Sequence, residues 1–189
     1  KVIVKDPYLF IGGWNFDFFC FRLDGSINWK YRASFRIVEN ALVHNNTVYF
    51  DAHDSYVYAL DAPTGKLKWR YRADYDQPTE MLLIGNELIF GSKDFLEVLD
   101  PQSGKRIRKI KTPQIVDRLY AWNNKCVFVY TNVYIVDTKT GKVEVLIPGK
   151  GPYFKIAFGK QRFIVTDENT GVYGYSFDPK LQQKLSGTQ

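Results

Sequence analysis

A unit of about 40 residues recurs along this chain, and that periodicity restricts the possible folds before composition is considered. The clearest copy covers residues 48–73, VYFDAHDSYVYALDAPTGKLKWRYRA. Alternating apolar and polar residues predict strands over 47–50, 56–60 and 66–72, separated by a polar turn and a Pro-Thr-Gly turn. A fourth apolar segment, 38–44, precedes them and closes on Asn45-Asn46. Related copies occupy 8–33, 88–110, 127–147 and 163–185. The turn glycines Gly25, Gly65, Gly104 and Gly141 are spaced by 40, 39 and 37 residues. Asp61, Asp100, Asp137 and Asp178 recur in step with them, and no 3.6-residue periodicity accompanies either series.

Four short strands per repeat describe a propeller blade. The sequence therefore predicts an all-β β-propeller of four-stranded antiparallel blades. Five blades, at about 1–33, 34–73, 74–112, 113–150 and 151–189, fill residues 1–189 as one domain. Two rings are compatible with this count: a closed five-bladed one, or part of a seven- or eight-bladed one. An aromatic share of 16% agrees with an all-β chain, since aromatic side chains suit pleated, half-buried surfaces. No apolar run reaches the roughly 20 residues that span a bilayer as a helix. Cys20 and Cys126 fall in blades 1 and 4, which are not neighbours, and are expected to be free buried thiols.

Residues Tyr58 to Trp69, YALDAPTGKLKW, resemble the tryptophan-docking signature of the PQQ-like propeller repeats, A-x-D-x-x-T-G-x-x-x-W. This family includes quinoprotein alcohol dehydrogenases and BamB-like scaffolds. Blade 1 keeps Asp24, Gly25 and Trp29 on a shorter turn. Blade 3 keeps Asp100 and Gly104 but has Arg108 at the tryptophan position. Blade 4 keeps Asp137 and Gly141 with Val145 there, and blade 5 keeps only Asp178. The resemblance implies structural roles in blade closure for Asp61, Gly65, Trp69, Trp29, Asp100, Gly104, Asp137 and Gly141. The aspartates would accept turn amides, the glycines would allow positive φ, and the indoles would wedge between blades. Loss of the indole predicts looser contacts beyond blade 2.

The same resemblance raises PQQ-dependent alcohol oxidation, which in that family uses calcium and a disulfide of adjacent cysteines. No adjacent cysteines exist here, and no residue carries over to those roles. With only His44 and His53, a histidine-rich metal site is excluded. Asp51 to Asp54 and Thr166 to Gly171 read as polar turns. The expectation is no catalytic residue, no metal and no cofactor.

Binding is expected where inner strands and their loops converge. Alignment of the copies places Glu39, Asn40, Glu80, Asp117, Arg118, Phe154 and Lys155 at the openings of first strands. Trp14, Phe16, His53, Asp54 and Lys93 fall on the adjoining turns. The net charge of +6 would suit a polyanion. However, strand alternation puts Lys68, Arg70 and Arg72 on the solvated face of an edge strand, so nucleic acid is disfavoured. The sequence points to a non-catalytic scaffold for a protein or peptide partner, in the periplasm or outside the cell. A degenerate quinoprotein and a binder of anionic polymer are the alternatives.

Overall fold

The computed structural model describes residues 2–37, 41–75, 79–116, 118–148, 153–159, 162–167 and 171–176. They form nineteen strands in five antiparallel meanders, each pairing successive strands. The first holds β1 (Ile3–Lys5), β2 (Tyr8–Gly12), β3 (Asp17–Arg22) and β4 (Ile27–Arg32). The second holds β5 (Leu42–His44), β6 (Thr47–Ala52), β7 (Tyr56–Asp61) and β8 (Leu67–Arg72). In the third are β9 (Leu82–Ile84), β10 (Glu87–Gly91), β11 (Phe95–Leu99) and β12 (Arg106–Lys111). The fourth comprises β13 (Arg118–Trp122), β14 (Lys125–Val129), β15 (Val133–Asp137) and β16 (Lys142–Ile147). The last has β17 (Tyr153–Phe158), β18 (Arg162–Asp167) and β19 (Val172–Ser176); Asp178 and the expected outer strand lie outside the described residues.

Strand alternation sends successive side chains to opposite faces, and each middle sheet buries both. In the second sheet Val48, Phe50, Tyr58 and Leu60 pack on Phe10, Phe18 and Cys20 of the first. Their neighbours Tyr49, Val57 and Ala59 pack on Leu88, Phe90 and Leu99 of the third. Ile89, Leu96 and Val98 continue the series onto Cys126 and Phe128 of the fourth sheet. Val127, Val129 and Val133 then meet Ile156, Phe163 and Val165 of the fifth. The sheets thus stack in sequence order. Among the described residues no apolar cluster joins the fifth sheet to the first. Both cysteines are free and buried.

The repeated turn explains how neighbouring sheets are held. Asp61 Oδ1 accepts the Thr64 amide (3.1 Å) and hydroxyl (2.7 Å), while the Gly65 amide donates to the Asp61 carbonyl (2.8 Å). Asp100 with Ser103 and Asp137 with Thr140 repeat the arrangement. Positive φ of 71°, 69° and 74° at Gly65, Gly104 and Gly141 completes each turn at a conformation other residues adopt only with strain. Asp24 differs. It accepts the Ser26 amide and hydroxyl in a shorter turn, closed by a Gly25 amide bond to the Arg22 carbonyl.

Trp29 and Trp69 each belong to one sheet and seat on the turn of the next. Trp29 Nε1 donates to the Ala62 carbonyl (2.9 Å), and Trp69 Nε1 donates to the Pro101 carbonyl (3.0 Å). The ring faces lie so close to Gly65 and Gly104 that an added Cβ would sit 2.5 Å from Trp29 and Trp69 respectively. A β-bulge after Cys20, Ala59 and Val98 sets Trp29, Trp69 and Arg108 in equivalent register.

Two expectations at the third and fourth sheets need correction. Arg108 does not leave the junction open: it pairs with Glu87, whose other oxygen accepts the Thr138 hydroxyl (3.1 Å) from the next turn. A polar bridge replaces the indole. Val145 is not the tryptophan equivalent either. The fourth sheet lacks the bulge at that position, so Glu144 stands opposite Ile135, as Trp69 stands opposite Ala59. One residue of register decides which side chain faces the next turn.

The turn carboxylates also carry a pH dependence. Asp61 is held below the ordinary carboxylate range chiefly by the Thr64 hydroxyl, and Asp100 and Asp137 chiefly by the Ser103 and Thr140 amides. Folded values below unfolded ones stabilise the protein above the unfolded value of about 4, and the contribution disappears as pH falls through the folded values. The urea midpoint is therefore expected to fall steadily once pH drops below about 4. Asp100→Asn should be less stable at neutral pH and show a shallower acid decline, which urea titrations at several pH values would reveal.

Candidate partner-binding surface

The turn between β2 and β3, the connection from β4 to β5 and the turn between β6 and β7 meet on one edge of the sheets. Main-chain bonds fix the meeting. The Ile37 amide donates to the Gly13 carbonyl (3.2 Å), and the His53 amide donates to the Arg36 carbonyl (3.0 Å). Gly12 allows the close approach, since a Cβ there would lie 2.3 Å from the Ile37 side chain. The Ala33 amide donates to the Phe16 carbonyl (2.9 Å) and anchors the start of the connection.

On this frame Trp14, Phe16, Phe35, Arg36 and His53 come together. Phe16 and Phe35 stack at 5.4 Å with planes 15° apart. The Arg36 guanidinium lies 5.3 Å from the Trp14 ring centre and 5.8 Å from that of Phe35. Its Nε donates to His53 Nδ1 (3.2 Å). Arg32 sits over Phe16 at 5.5 Å while pairing with the buried Asp17 (3.1 Å). Trp14 is 72% exposed and Phe35 44%. Attraction between cations and ring faces orders these side chains without removing them from water.

Asp54 has a different place. Its carboxylate accepts the Tyr58 hydroxyl (2.6 Å) and the amides of Ser34 (3.1 Å) and Tyr56 (3.0 Å), so it braces the first two sheets. Burial first, and then this carboxylate, push the Tyr58 hydroxyl well above the ordinary phenol value. Glu80 and Arg118 lie near Tyr120, whose hydroxyl value is raised by burial and partly lowered again, first by a bond to the Ile156 backbone and then by Arg118. Lys93 stands exposed at a turn with φ 58°, where its carbonyl accepts the Val116 amide (2.8 Å). Lys155 is exposed on β17. Glu39, Asn40 and Asp117 lie outside the described residues, and of Phe154 only the backbone is described.

Sequence reasoning missed Phe35 and Arg36, which lie in the connection between copies and carry no repeat signal. It also missed a buried network between the second and third sheets. Glu97, 0% exposed on β11, accepts the Tyr71 hydroxyl and the Asp74 amide (3.3 Å), with Arg106 at 3.6 Å. Its one signal was an acidic residue at an inward position of an apolar strand.

On the opposite edge, near the aspartate turns, a cleft of about 290 Å3 opens between the first two sheets beside Tyr8, Phe10, Asn46 and Pro63. Lys5, Asp6 and Tyr8 are the ionisable residues in its wall. Among the described residues there is no group of three or more His, Cys, Asp or Glu side chains able to hold a metal ion, and no helix long and apolar enough to cross a membrane.

A family model described as outer membrane protein assembly factor BamB matches residues 2–176. Comparison with curated protein sequences gives no significant match. Among solved structures, BamB from Moraxella catarrhalis superposes with a TM-score of 0.77 at 13% identity, covering 94% of this chain and 58% of that one. The computationally designed Ika8 protein gives 0.80 at 15% identity, with 93% and 57% covered. The WD40 β-propeller domain of Doa1 gives 0.74 at 14%, with 95% and 64% covered. This chain therefore spans less than two thirds of each of these structures. At such identities the superpositions show the propeller fold alone.

Proposed function

The chain belongs to the propeller family described as outer membrane protein assembly factor BamB, and from that premise we propose that it is a non-catalytic scaffold that binds a protein partner. The partner engages the edge that carries Trp14, Phe16, Phe35 and Arg36. The observation that carries this reading is Trp14: a large aromatic, 72% exposed, ordered by Arg36 on a hydrogen-bonded frame. Tryptophan and arginine dominate the energetics of protein interfaces, since both offer large contact area together with a polar handle. A prearranged site also spares the partner the cost of ordering it.

Scaffolding is favoured over catalysis by the chemistry of the cluster. Its ionisable groups are guanidinium and imidazole, and the imidazole Nδ1 is engaged by Arg36. Such a set can hold a carboxylate, and its one nucleophilic group, the imidazole, has Nδ1 occupied by Arg36. An extracytoplasmic site of action follows from the family description, as part of the same proposal.

The test uses a photo-crosslinking amino acid at Asn15 or Lys93 on the loop edge, and at Lys66 or Lys139 on the turn edge, in cells that naturally make the protein. Loop-edge positions should capture one and the same protein, and turn-edge positions should not. Capture from the turn edge alone, or turnover of a small molecule by the purified chain, would overturn the reading.

A further inference from the structure

We propose that Trp14, Phe35 and Arg36 form a docking site for a short acidic segment of the partner. An apolar side chain of the segment covers the two rings, and an adjoining aspartate or glutamate pairs with the guanidinium. This rests on the scaffold reading and specifies the chemistry of what is scaffolded.

Charge complementarity singles out the occupant. Of the other cations close to aromatic rings, Arg32 pairs with Asp17, Lys109 with Asp74 and Lys111 with Asp94, and Arg70 faces the single ring of Tyr56, whereas Arg36 lies against two rings. Arg36 has no carboxylate partner among the described residues, and its only hydrogen-bond acceptor is a histidine nitrogen. Its guanidinium stays charged at any physiological pH and keeps donors for a planar, two-pronged acceptor. A carboxylate fits that vacancy in charge and shape. The flanking rings add the apolar half of the recognition, since exposed Trp14 and Phe35 gain most from contact with an aliphatic or aromatic side chain.

The backbone supports the same assignment. Phe16 holds φ 75°, in a turn where the equivalent residue of the second sheet, Ser55, holds φ 70°. Glycine or asparagine would satisfy that turn at least cost, and a phenylalanine there is locally unfavourable. The ring repays the strain by stacking on Phe35 and so fixes the floor on which Arg36 rests. Strain retained at a half-buried ring beneath the exposed Trp14 and Phe35 accords with binding. A polyanion is a poorer match, because the Arg36 guanidinium is bounded by the Trp14 and Phe35 rings, while Arg32 and Lys111 are engaged by Asp17 and Asp94.

Fluorescence anisotropy with a labelled, capped peptide alternating aspartate with leucine provides the test. The full chain should bind it, and replacing every aspartate by asparagine should weaken binding about tenfold or more. Trp14→Ala and Arg36→Ala should each cause a similar loss with an unchanged melting temperature, while Arg36→Lys falls between. Absence of binding, equal affinity for the asparagine peptide, or full binding by both alanine variants would overturn the proposal. So would a single-stranded oligonucleotide that displaced the peptide, which would assign the surface to a polyanion. A partner captured from the loop edge whose binding ignores both variants would remove this inference and leave the scaffold reading standing. Failure of loop-edge capture would remove both.

Discussion

Trp69→Ala is expected to destabilise the fold by about 3 kcal/mol, the lower end of the range for deleting a packed aromatic. The half-buried ring covers Gly104, packs 5.8 Å from Tyr49 and donates to the Pro101 carbonyl, an oxygen the Tyr49 hydroxyl also reaches (3.1 Å). Most of the effect is lost apolar contact, because one net hydrogen bond contributes only about 1 kcal/mol. Trp69→Phe should therefore recover more than half of the loss. Val145→Ala should change stability by less than about 0.5 kcal/mol, since that side chain is 52% exposed and lies away from the docking register. Urea midpoints at unchanged slope would separate the three variants. Similar values for Trp69→Ala and Val145→Ala would mean that the indole does not hold the sheets together.

Glu97→Ala should have a comparable effect, about 3 kcal/mol, by a different route. The carboxylate is fully buried, and removing it strands the Tyr71 hydroxyl and the Asp74 amide inside the junction of the second and third sheets. Arg106 loses less, because it is 43% exposed and keeps Asp74 at 3.5 Å. The two donors left without an acceptor therefore set the size of the effect. Glu97→Gln preserves the shape and an acceptor oxygen, and should cost about half as much. Burial and the same carboxylate raise the Tyr71 hydroxyl value, so both variants should bring the Tyr71 ionisation down toward the ordinary phenol range in an ultraviolet pH titration. A loss below about 1 kcal/mol for Glu97→Ala would mean that desolvating the carboxylate cancels what its bonds contribute.

The repeat made the meanders legible because it is written in local terms: alternation, a turn aspartate and a turn glycine. Trp69 and Gly104 were readable as parts of a signature, although their contact crosses from one copy to the next. The bulge was not readable. No residue type announces it, and without coordinates Val145 takes the place that belongs to Glu144. The Arg108–Glu87–Thr138 bridge was hidden for a related reason, since its three members belong to two copies and replace an indole with charges that share no pattern with it. The binding surface was half legible. Trp14 and Phe16 lie on a turn that alignment of the copies locates, whereas Phe35 and Arg36 reach them only through the main-chain bonds of an irregular connection.

Trp29 and Trp69 each seat on the glycine turn of the following sheet, and a double-mutant cycle between Trp69 and Gly104 tests this docking directly. In the native chain Gly104→Ala suffers both a positive φ of 69° and a Cβ 2.5 Å from the indole, so its cost should be well above the roughly 1 kcal/mol expected at Gly25, where φ is 86° but no atom lies within 4 Å. In a Trp69→Ala background the clash disappears, and the cost of Gly104→Ala should drop to about the Gly25→Ala value. Simple additivity of the two substitutions would contradict the docking of one sheet on the next.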